Sequence, residues 1–270
     1  MQATSIFAPT LLTGKTALIT GGGSGIGAGI AKLLAAHGAK VALVGRTLAK
    51  LENIAGEITA AGGTASCHAC DVREYPALEG AVKEAVAKHG SLDIVINSAA
   101  GNFLAPAAAL SANGFRSVID IDLCGTFNSC RAAFQHLTKP GASIVSITAT
   151  QAEVPTPLQV HAGAAKAGIE KLTRDLALEW GRFGVRVNAV APGPIEGTEG
   201  MSRLAPEGAG EALKKRVPLG RYGTIDEVAS AVLYLVSPAG AYITGSTILI
   251  DGGTSLLGPG PFLDMMMGSL

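Results

Sequence analysis

The amino-acid sequence predicts an α/β protein: a doubly wound parallel sheet of about seven strands with helices on both faces. Two observations predict this fold. Short apolar runs alternate with longer stretches of helical composition, and the runs are almost continuously apolar, as in parallel strands that are covered on both faces. Such alternation is typical of repeated strand–helix–strand units. No internal repeat, proline-rich linker or block of like charge divides the chain, so we predict a single domain over residues 1–270.

Each predicted strand is a run rich in small, branched or aliphatic residues. The seven strands are expected at residues 16–20, 40–45, 64–69, 92–97, 143–148, 185–191 and 246–251. The stretches between them favour helices at residues 25–37, 48–61, 75–89, 112–136, 161–182 and 225–235. A long glycine-rich stretch follows Pro192, at the carboxyl end of a strand, where ligands bind in α/β proteins. We interpret residues 196–222 of that stretch as a substrate lid.

The composition argues against several classes of function. The 21 Lys and Arg residues balance 21 Asp and Glu residues, so no net charge draws the protein to nucleic acid or to an anionic membrane. No uninterrupted apolar segment is long enough to span a bilayer, and the first residues lack the pattern of a secretory signal. Cys67 and Cys70 have no second pair of ligands, so no metal site is expected. We expect a cytoplasmic protein without nucleic-acid or membrane partners.

A glycine cluster follows the first predicted strand and begins the first predicted helix. Glycines allow a tight turn and close approach to a pyrophosphate, whose charge is favoured at a helix N-terminus. Strand-to-helix turns use glycine in other proteins too, so the position after the first strand is what favours a dinucleotide over a plain turn. The predicted cofactor-binding residues here are Gly21, Gly23, Ser24, Gly25, Ile26 and Gly27.

The end of the second predicted strand indicates which dinucleotide binds. Sites for NAD place an acidic residue there, which binds the ribose 2′-hydroxyl. This chain has Arg46 instead, and a guanidinium can bind a 2′-phosphate through two hydrogen bonds. We therefore predict NADP(H), the alternative being a surface arginine that merely ends a strand. Further cofactor contacts are predicted at the next two strand ends, from Asp71, Val72, Asn97 and Ala99.

Taken in order, these motifs resemble the short-chain dehydrogenase/reductase family, which has a Rossmann-type fold, over residues 15–253. The resemblance implies that Lys166 binds the nicotinamide ribose, that Pro192, Gly193 and Ile195 lie beside the carboxamide, and that the protein is a homotetramer. The matching segments are TGGGSGIG (20–27), Asp71-Val72, NSAAG (97–101), Lys166, RVNAVAPGPI (186–195) and ITGSTILIDGG (243–253).

The departures from the family pattern are informative. The family's usual catalytic Asn, Ser, Tyr and Lys correspond here to Asp122, Ala149, Ala162 and Lys166. These departures resemble the 2,4-dienoyl-CoA reductase branch, especially the peroxisomal type and its bacterial relatives. The resemblance implies an acyl-CoA substrate and the NADPH-dependent reduction of a 2,4-dienoyl-CoA to a 3-enoyl-CoA. The shared segments are AAGNFL (99–104), DIDLCGTFN (120–128), SITAT (146–150), LQVHAGAAKAG (158–168) and APGPIEGTEG (191–200).

That chemistry explains the missing tyrosine. Hydride added at C5 of a dienoyl thioester spreads negative charge to the thioester oxygen, so no alkoxide forms and no tyrosine acid is needed. We predict three catalytic residues: Lys166, which orients the ribose; Asp122, which binds a water or holds Lys166; and Asn102, which donates to the thioester. An ordinary helix carboxylate and a turn asparagine are the alternatives for the last two.

Asn102, Phe103 and Arg203 are predicted to bind the substrate, with a core phenylalanine as the alternative for Phe103. His161 is the rival proton donor, because an imidazole titrates near neutrality. Two other functions remain open. The first is another short-chain reductase with a different enoyl or carbonyl substrate, and the second is a non-catalytic scaffold that binds NADP.

Overall fold

Seven parallel strands form one sheet in the order β3-β2-β1-β4-β5-β6-β7, which confirms the predicted fold class. The structure, a computed structural model, describes residues 7–198, 200, 210–258 and 260. The strand bounds are β1 Thr16–Thr20, β2 Lys40–Gly45, β3 Thr64–Ala69, β4 Ile94–Asn97, β5 Ser143–Ile147, β6 Arg186–Pro192 and β7 Thr247–Ile250.

Helices cover both faces of the sheet. Their bounds are α1 Gly25–Ala36, α2 Leu48–Ala60, α3 Tyr75–His89, α4 Ala112–Ile119, α5 Gly125–Phe134, α6 Val160–Trp180, α7 Gly210–Arg216 and α8 Ile225–Val236. The core therefore has two layers, because successive residues of a strand point to opposite faces. Ile19 and Leu43 pack with α1, α2 and α8, whereas Leu18 and Val44 pack with α3, α5 and α6.

The prediction of a single helix over residues 112–136 is wrong, because the structure divides this stretch into three elements. A π-helical turn, Asp120–Cys124, separates α4 from α5. Such wide turns are rare and frequently occur at functional sites. Asp122 lies within this turn and is buried. Gly125, which follows it, packs so closely on Val72 that a Cβ there would lie 2.5 Å from Val72 Cγ2.

Strand order reverses between β1 and β4, which are neighbours near the middle of the sheet. In open α/β sheets the ligand crevice lies outside the carboxyl ends of the strands at such a switch point. The ends of the stretch interpreted as a lid are joined at this edge, since Ile195 and Gly223 form an isolated parallel bridge. Within the described residues, no helix has the length and apolarity needed to cross a membrane.

Candidate active site

A cleft of about 390 Å³ lies at the carboxyl edge of the sheet, above the switch point between β1 and β4. Loops that follow β1, β2, β3, β4 and β5 form its walls, together with the inner face of α6. Most of the sequence-predicted site residues meet here, although they are spread along the chain from Gly21 to Lys166. Those that line the cleft are Gly21, Gly23, Ser24, Gly25, Ile26, Gly27, Arg46, Asp71, Val72, Ala99, Asn102, Asp122 and Lys166.

The glycine turn before α1 has the shape that a pyrophosphate requires. A Cβ on Gly21 would lie 2.6 Å from the Ser98 carbonyl oxygen, and one on Gly27 would lie 2.4 Å from the Gly21 carbonyl oxygen. Gly25 has a φ of +52°, which disfavours side chains, and the space where its Cβ would stand is open. The turn therefore brings bare backbone and the N-terminus of α1 to the cleft, where an anion is favoured.

The electrostatics at the end of β2 suit a phosphate. Arg46 lines the cleft at the position where an NAD site has an acidic residue. Asp71 lies nearby, but it accepts hydrogen bonds of 3.0 Å and 2.7 Å from the Arg73 guanidinium. These hydrogen bonds, helped by the charge of Arg46, lower the pKa of Asp71 below its usual range. The Asp71 charge is thus held by Arg73, and Arg46 remains on the cleft wall to meet an anion.

A buried ion pair stands where α6 faces the π-helical turn. Lys166 Nζ lies 3.0 Å from Asp122 Oδ2, with side-chain exposures of 11% and 1%. Lys166 Nζ also donates to the carbonyl oxygen of Ile147 at 3.2 Å, at the end of β5. Ala149 and Ala162 line the same cleft, so the places of the two missing hydroxyls are indeed beside this pair. The site has one cation, one carboxylate and no hydroxyl acid among these four positions.

Asp122 is fixed by its other contacts as well. Its Oδ1 accepts from the Gly101 backbone N–H at 2.7 Å, which ties the π-helical turn to the loop after β4. The Thr126 hydroxyl donates to the Asp122 carbonyl oxygen at 2.6 Å. A carboxylate has about four acceptor sites. Each Asp122 oxygen therefore keeps capacity for one more donor, such as a water in the cleft.

The loop after β4 presents Asn102 to the cleft. Its Oδ1 accepts from the Phe103 backbone N–H at 2.8 Å, and its Nδ2 donates to Gln159 Oε1 at 2.6 Å. One amide hydrogen of Asn102 is left for a further acceptor. Phe103 is 39% exposed, and its ring lies 4.4 Å from that of His161. Phe103 is therefore half on the surface, next to the cleft, and is not a core residue.

The chain is similar to known proteins over most of its length. A family model described as enoyl-(acyl carrier protein) reductase matches residues 21–255. A solved short chain dehydrogenase from Burkholderia cenocepacia J2315, in complex with NADP, has 32% identity and a TM-score of 0.84, covering 90% of this chain and 99% of that one. The chain belongs to the short-chain dehydrogenase/reductase family. The citronellol catabolism dehydrogenase AtuB of Pseudomonas aeruginosa PAO1 is likewise similar, with 44% identity and a TM-score of 0.82 over 93% of this chain and 99% of its own.

Within the short-chain dehydrogenase/reductase family, the resemblance to the dienoyl-CoA branch is confirmed. The chain is 46% identical over 252 residues to a peroxisomal 2,4-dienoyl-CoA reductase of Rattus norvegicus, described as (3E)-enoyl-CoA-producing, with 92% of this chain and 86% of the rat protein covered. It is 44% identical over 252 residues to a probable 2,4-dienoyl-CoA reductase of Bacillus subtilis, described as (2E)-enoyl-CoA-producing, with 92% and 99% covered.

A second, largely apolar cavity of about 200 Å³ continues from the first. The two share the end of β5, from Ile147 to Ala149. Pro192, Gly193 and Ile195 line this second cavity and not the first. Gly193 has to be glycine, since a Cβ there would lie 2.7 Å from Asp251 Cα. The apolar cavity is suited to a hydrocarbon chain lying beside the cofactor cleft.

His161 is badly placed for acid catalysis. It is fully buried and lines neither cavity. Burial has the largest effect on the pKa of His161 and lowers it below its usual value, which favours the neutral ring. Neither ring nitrogen has a hydrogen-bond partner among the described residues. The geometry disfavours His161 as the rival donor.

Asn97 is a predicted cofactor contact that the structure contradicts. Asn97 was predicted to touch the cofactor, but its side chain is buried under the cleft, where Nδ2 donates to Ser146 Oγ at 3.1 Å. The side chain points to the face of the sheet that α5 covers, where Nδ2 also donates to Cys130 Sγ at 3.3 Å. Arg203 lies outside the described residues.

The sequence analysis did not predict three residues at or beside the site: Gln151, Thr148 and Gln159. All three lie in segments that carry the family resemblance or directly next to them, and no local pattern distinguishes them.

Proposed function

We propose that this protein is an NADPH-dependent 2,4-dienoyl-CoA reductase that forms a 3-enoyl-CoA. The observation that supports it best is the buried Lys166–Asp122 pair with alanines at positions 149 and 162. A reductase that makes an alkoxide needs a hydroxyl acid, whereas a dienolate needs stabilisation of a distant oxygen and a proton at carbon. The named dienoyl-CoA reductases at 46% and 44% identity support the same substrate class.

The first cleft is the proposed cofactor site. The bare backbone of the glycine turn would hold the pyrophosphate, Arg46 the 2′-phosphate and Lys166 the nicotinamide ribose. Val72 and Ala99 would contact the adenosine half, and Pro192, Gly193 and Ile195 the carboxamide. When bound, NADPH supplies the hydride. The Burkholderia cenocepacia relative was solved with NADP, which agrees with this cofactor.

The substrate is proposed to lie between the two cavities. Asn102 donates its remaining amide hydrogen to the thioester oxygen, where negative charge gathers, and Lys166 adds positive potential. The acyl tail occupies the apolar cavity, and Phe103 packs on the acyl or pantetheine chain. Residues 196–222 act as the lid: Thr198 and Gly200 line both cavities, and Leu213 and Val217 line the second. Arg203 remains a proposed CoA contact.

Asp122 is proposed to hold the water that delivers the last proton. Each of its oxygens already accepts one donor, from Gly101 or Lys166, and has room for another. A dienolate protonated at C2 yields a 3-enoyl-CoA, whereas protonation at C4 yields a 2-enoyl-CoA. The relatives' names differ on this product. Gly101, which binds Asp122, directly precedes Asn102, so the proposed water would lie near the thioester end of the substrate and C2 is the favoured position.

Product analysis in heavy water tests the proposal. The enzyme is incubated with NADPH and 2,4-hexadienoyl-CoA in D₂O, and the product is examined by NMR. We expect one deuterium at C2 and a double bond between C3 and C4. Deuterium at C4 with a 2-enoyl product would contradict the assigned proton path. Absence of any reduced product would reject the function itself.

One observation favours a second candidate, a related reductase with a different substrate. The similar Pseudomonas aeruginosa PAO1 protein is described as a citronellol catabolism dehydrogenase. A panel of branched aldehydes, simple ketones and enoyl-CoA thioesters separates the two. Turnover of an aldehyde or ketone faster than any dienoyl-CoA would favour this candidate.

Assembly and location belong to the proposal as well. We propose a homotetramer, since Phe115 of α4 and Phe127 of α5 are about 40% exposed and Ala164 and Ala167 on α6 leave an open small-residue surface. Light scattering on the purified protein tests this. All four cysteines carry free thiols, which agrees with a reducing compartment such as the cytoplasm.

A further inference from the structure

We propose that Gln159 is a positioning residue for Asn102, holding the Asn102 amide so that one N–H is kept for the substrate's thioester oxygen. The inference rests on the proposed function and deepens it. Gln159 is only 1% exposed and lines neither cavity, so it acts through Asn102 and not by touching a ligand.

The hydrogen bonds fix the orientation of both amides. Asn102 Oδ1 is identified as the oxygen because it accepts from the Phe103 backbone N–H, which can only donate. Asn102 Nδ2 therefore points to Gln159, whose nearer atom has to be the accepting oxygen. Reversal of either amide would set two donors or two acceptors against each other. Only one amide hydrogen of Asn102 is left, and Asn102 itself lines the cleft.

Gln159 Oε1 joins two loops. It accepts from Asn102 Nδ2 at 2.6 Å, in the loop after β4, and from Gln151 Nε2 at 3.3 Å, in the turn after β5. Both Asn102 and Gln151 line the first cleft. A single buried oxygen thus sets the separation of two walls of the site. The Gln159 Nε2 has no hydrogen-bond partner in the part of the chain that the structure describes, which is unfavourable for a buried donor.

The local backbone supports a functional reason for this residue. Gln159 stands at the N-cap of α6, yet its side chain makes no capping hydrogen bond. Residues that stabilise a helix start, such as Ser, Thr, Asp or Asn, are absent from this position. The preceding Leu158 has a φ of +62°, unlike every other non-glycine residue that the structure describes. Such strain persists where the surroundings require it and often accompanies function.

Leu158 is also tied to the same loop. Its carbonyl oxygen accepts from the Ala105 backbone N–H at 2.9 Å. The strained residue and the inward-facing glutamine therefore clamp both ends of the segment 102–105. His161, in the first turn of α6, packs its ring on Phe103 inside that segment. The start of α6 therefore contacts the loop that carries Asn102 at several points.

A double-mutant cycle tests the proposal with 2,4-hexadienoyl-CoA and NADPH. Gln159→Met removes the accepting oxygen at similar length, and Asn102→Ala removes the donor. We expect each single substitution to lower kcat/KM at least about tenfold. The kcat/KM of the double variant should lie no more than about threefold below that of the less active single variant. The NADPH dissociation constant should stay within about twofold of wild type in each. Gln135→Met, on an exposed glutamine that directly follows α5, is the control.

Rescue separates positioning from general packing. Gln159→Glu keeps an accepting oxygen at the same reach, and we expect it to recover most of the activity that Gln159→Met loses. Losses that multiply in the double variant, a matching fall in NADPH affinity, or wild-type activity in Gln159→Met would each overturn the proposal. If Gln159→Met does not fold, equal activity losses in Gln159→Glu and Asn102→Ala would overturn it, and near-normal Gln159→Glu activity would support it.

Calorimetry keeps this test distinct from the test of the function. The affinity for 2,4-hexadienoyl-CoA is measured with NADP⁺ bound in the same four proteins. Wild type that binds this thioester without turnover would reject the proposed function, while non-additive affinities would still support the role of Gln159. Wild type that turns over, with multiplicative losses in the cycle, would reject only the role of Gln159. A wild-type protein that binds no acyl-CoA overturns both.

Discussion

The Lys166–Asp122 pair is the residue-scale feature that defines this site. Taking two charges out of water is costly, and their attraction offsets that cost only when further hydrogen bonds complete both groups. Ile147 and Gly101 provide those bonds through the backbone. The pair is thus held as a unit in the cleft that Ala149 and Ala162 also line, and we propose that it supplies charge and a place for water there.

Asp122→Asn tests the charge of this pair. The amide keeps an oxygen for the Gly101 N–H but loses the charge facing Lys166. We expect the protein to fold, with kcat lowered roughly a hundredfold, in the range typical of lost acid–base assistance. Steady-state kinetics and a thermal melt measure the two effects. Asp120→Asn, two residues earlier in the same π-helical turn and outside the cleft, is the control and should be within about twofold of wild type.

Arg46 is the residue that we propose to select NADPH over NADH. We expect Arg46→Glu to raise KM for NADPH by roughly tenfold to a hundredfold, because charge-assisted hydrogen bonds are lost and repulsion is added, while KM for NADH changes little. Competition between the two cofactors in one assay measures the ratio directly. The exposed Arg182, at the far end of α6, provides the matched Arg182→Glu control. An equal loss for both cofactors would show that Arg46 does not read the 2′-phosphate.

At the scale of elements, local patterns predicted some features and missed others. The strands and the glycine turn were predictable because apolar runs and glycine positions carry that information locally. The π-helical turn was not, since residues 112–136 have ordinary helical composition and the interruption depends on packing against Val72 and Gly101. The bond between Asn102 and Gln159 joins residues 57 positions apart, and no local pattern predicts it.

The start of α8 carries a pH-dependent contact next to the end of the lid. Glu227 forms a capping box with Thr224 and accepts two hydrogen bonds from Arg221. Those contacts, chiefly the Arg221 hydrogen bonds, lower the pKa of Glu227 from 4.5 to about 2. A lowered carboxyl pKa in the folded state adds stability that is complete above the unfolded value and is lost as pH falls towards the folded value.

Glu227→Gln should therefore destabilise the protein at about pH 7 and matter much less in acid. We expect a loss of about 1 kcal/mol near neutrality, typical of a disrupted cap, shrinking to less than half at about pH 3. Urea unfolding at both pH values measures the difference. Asp226→Asn, in the same first turn of α8, is the control for removing a charge near the helix start. A pH-independent difference would contradict the assigned pKa shift.

At the scale of the whole molecule, parallel topology brings distant segments to one edge of the sheet. Every strand from β1 to β6 ends there, so segments as far apart as Gly21 and Lys166 line one cleft. This much follows from the sequence, because strand order and motif order predict which loops meet. Whether a side chain points into the cleft does not follow, as Asn97 shows by pointing to the buried face of the sheet that α5 covers. The sequence motif indicates which loop lies at the cleft, whereas packing determines where each side chain of that loop points.

Our central proposal is that the site reduces a dienoyl thioester through the Lys166–Asp122 pair and reduces an ordinary ketone far more slowly. The direct measurement is NADPH oxidation by the wild-type protein, followed optically with 2,4-hexadienoyl-CoA and with a 3-ketoacyl-CoA of equal length. We predict rapid turnover of the dienoyl-CoA and at least about a hundredfold lower kcat/KM for the ketone. Equal or faster reduction of the ketone would contradict the account.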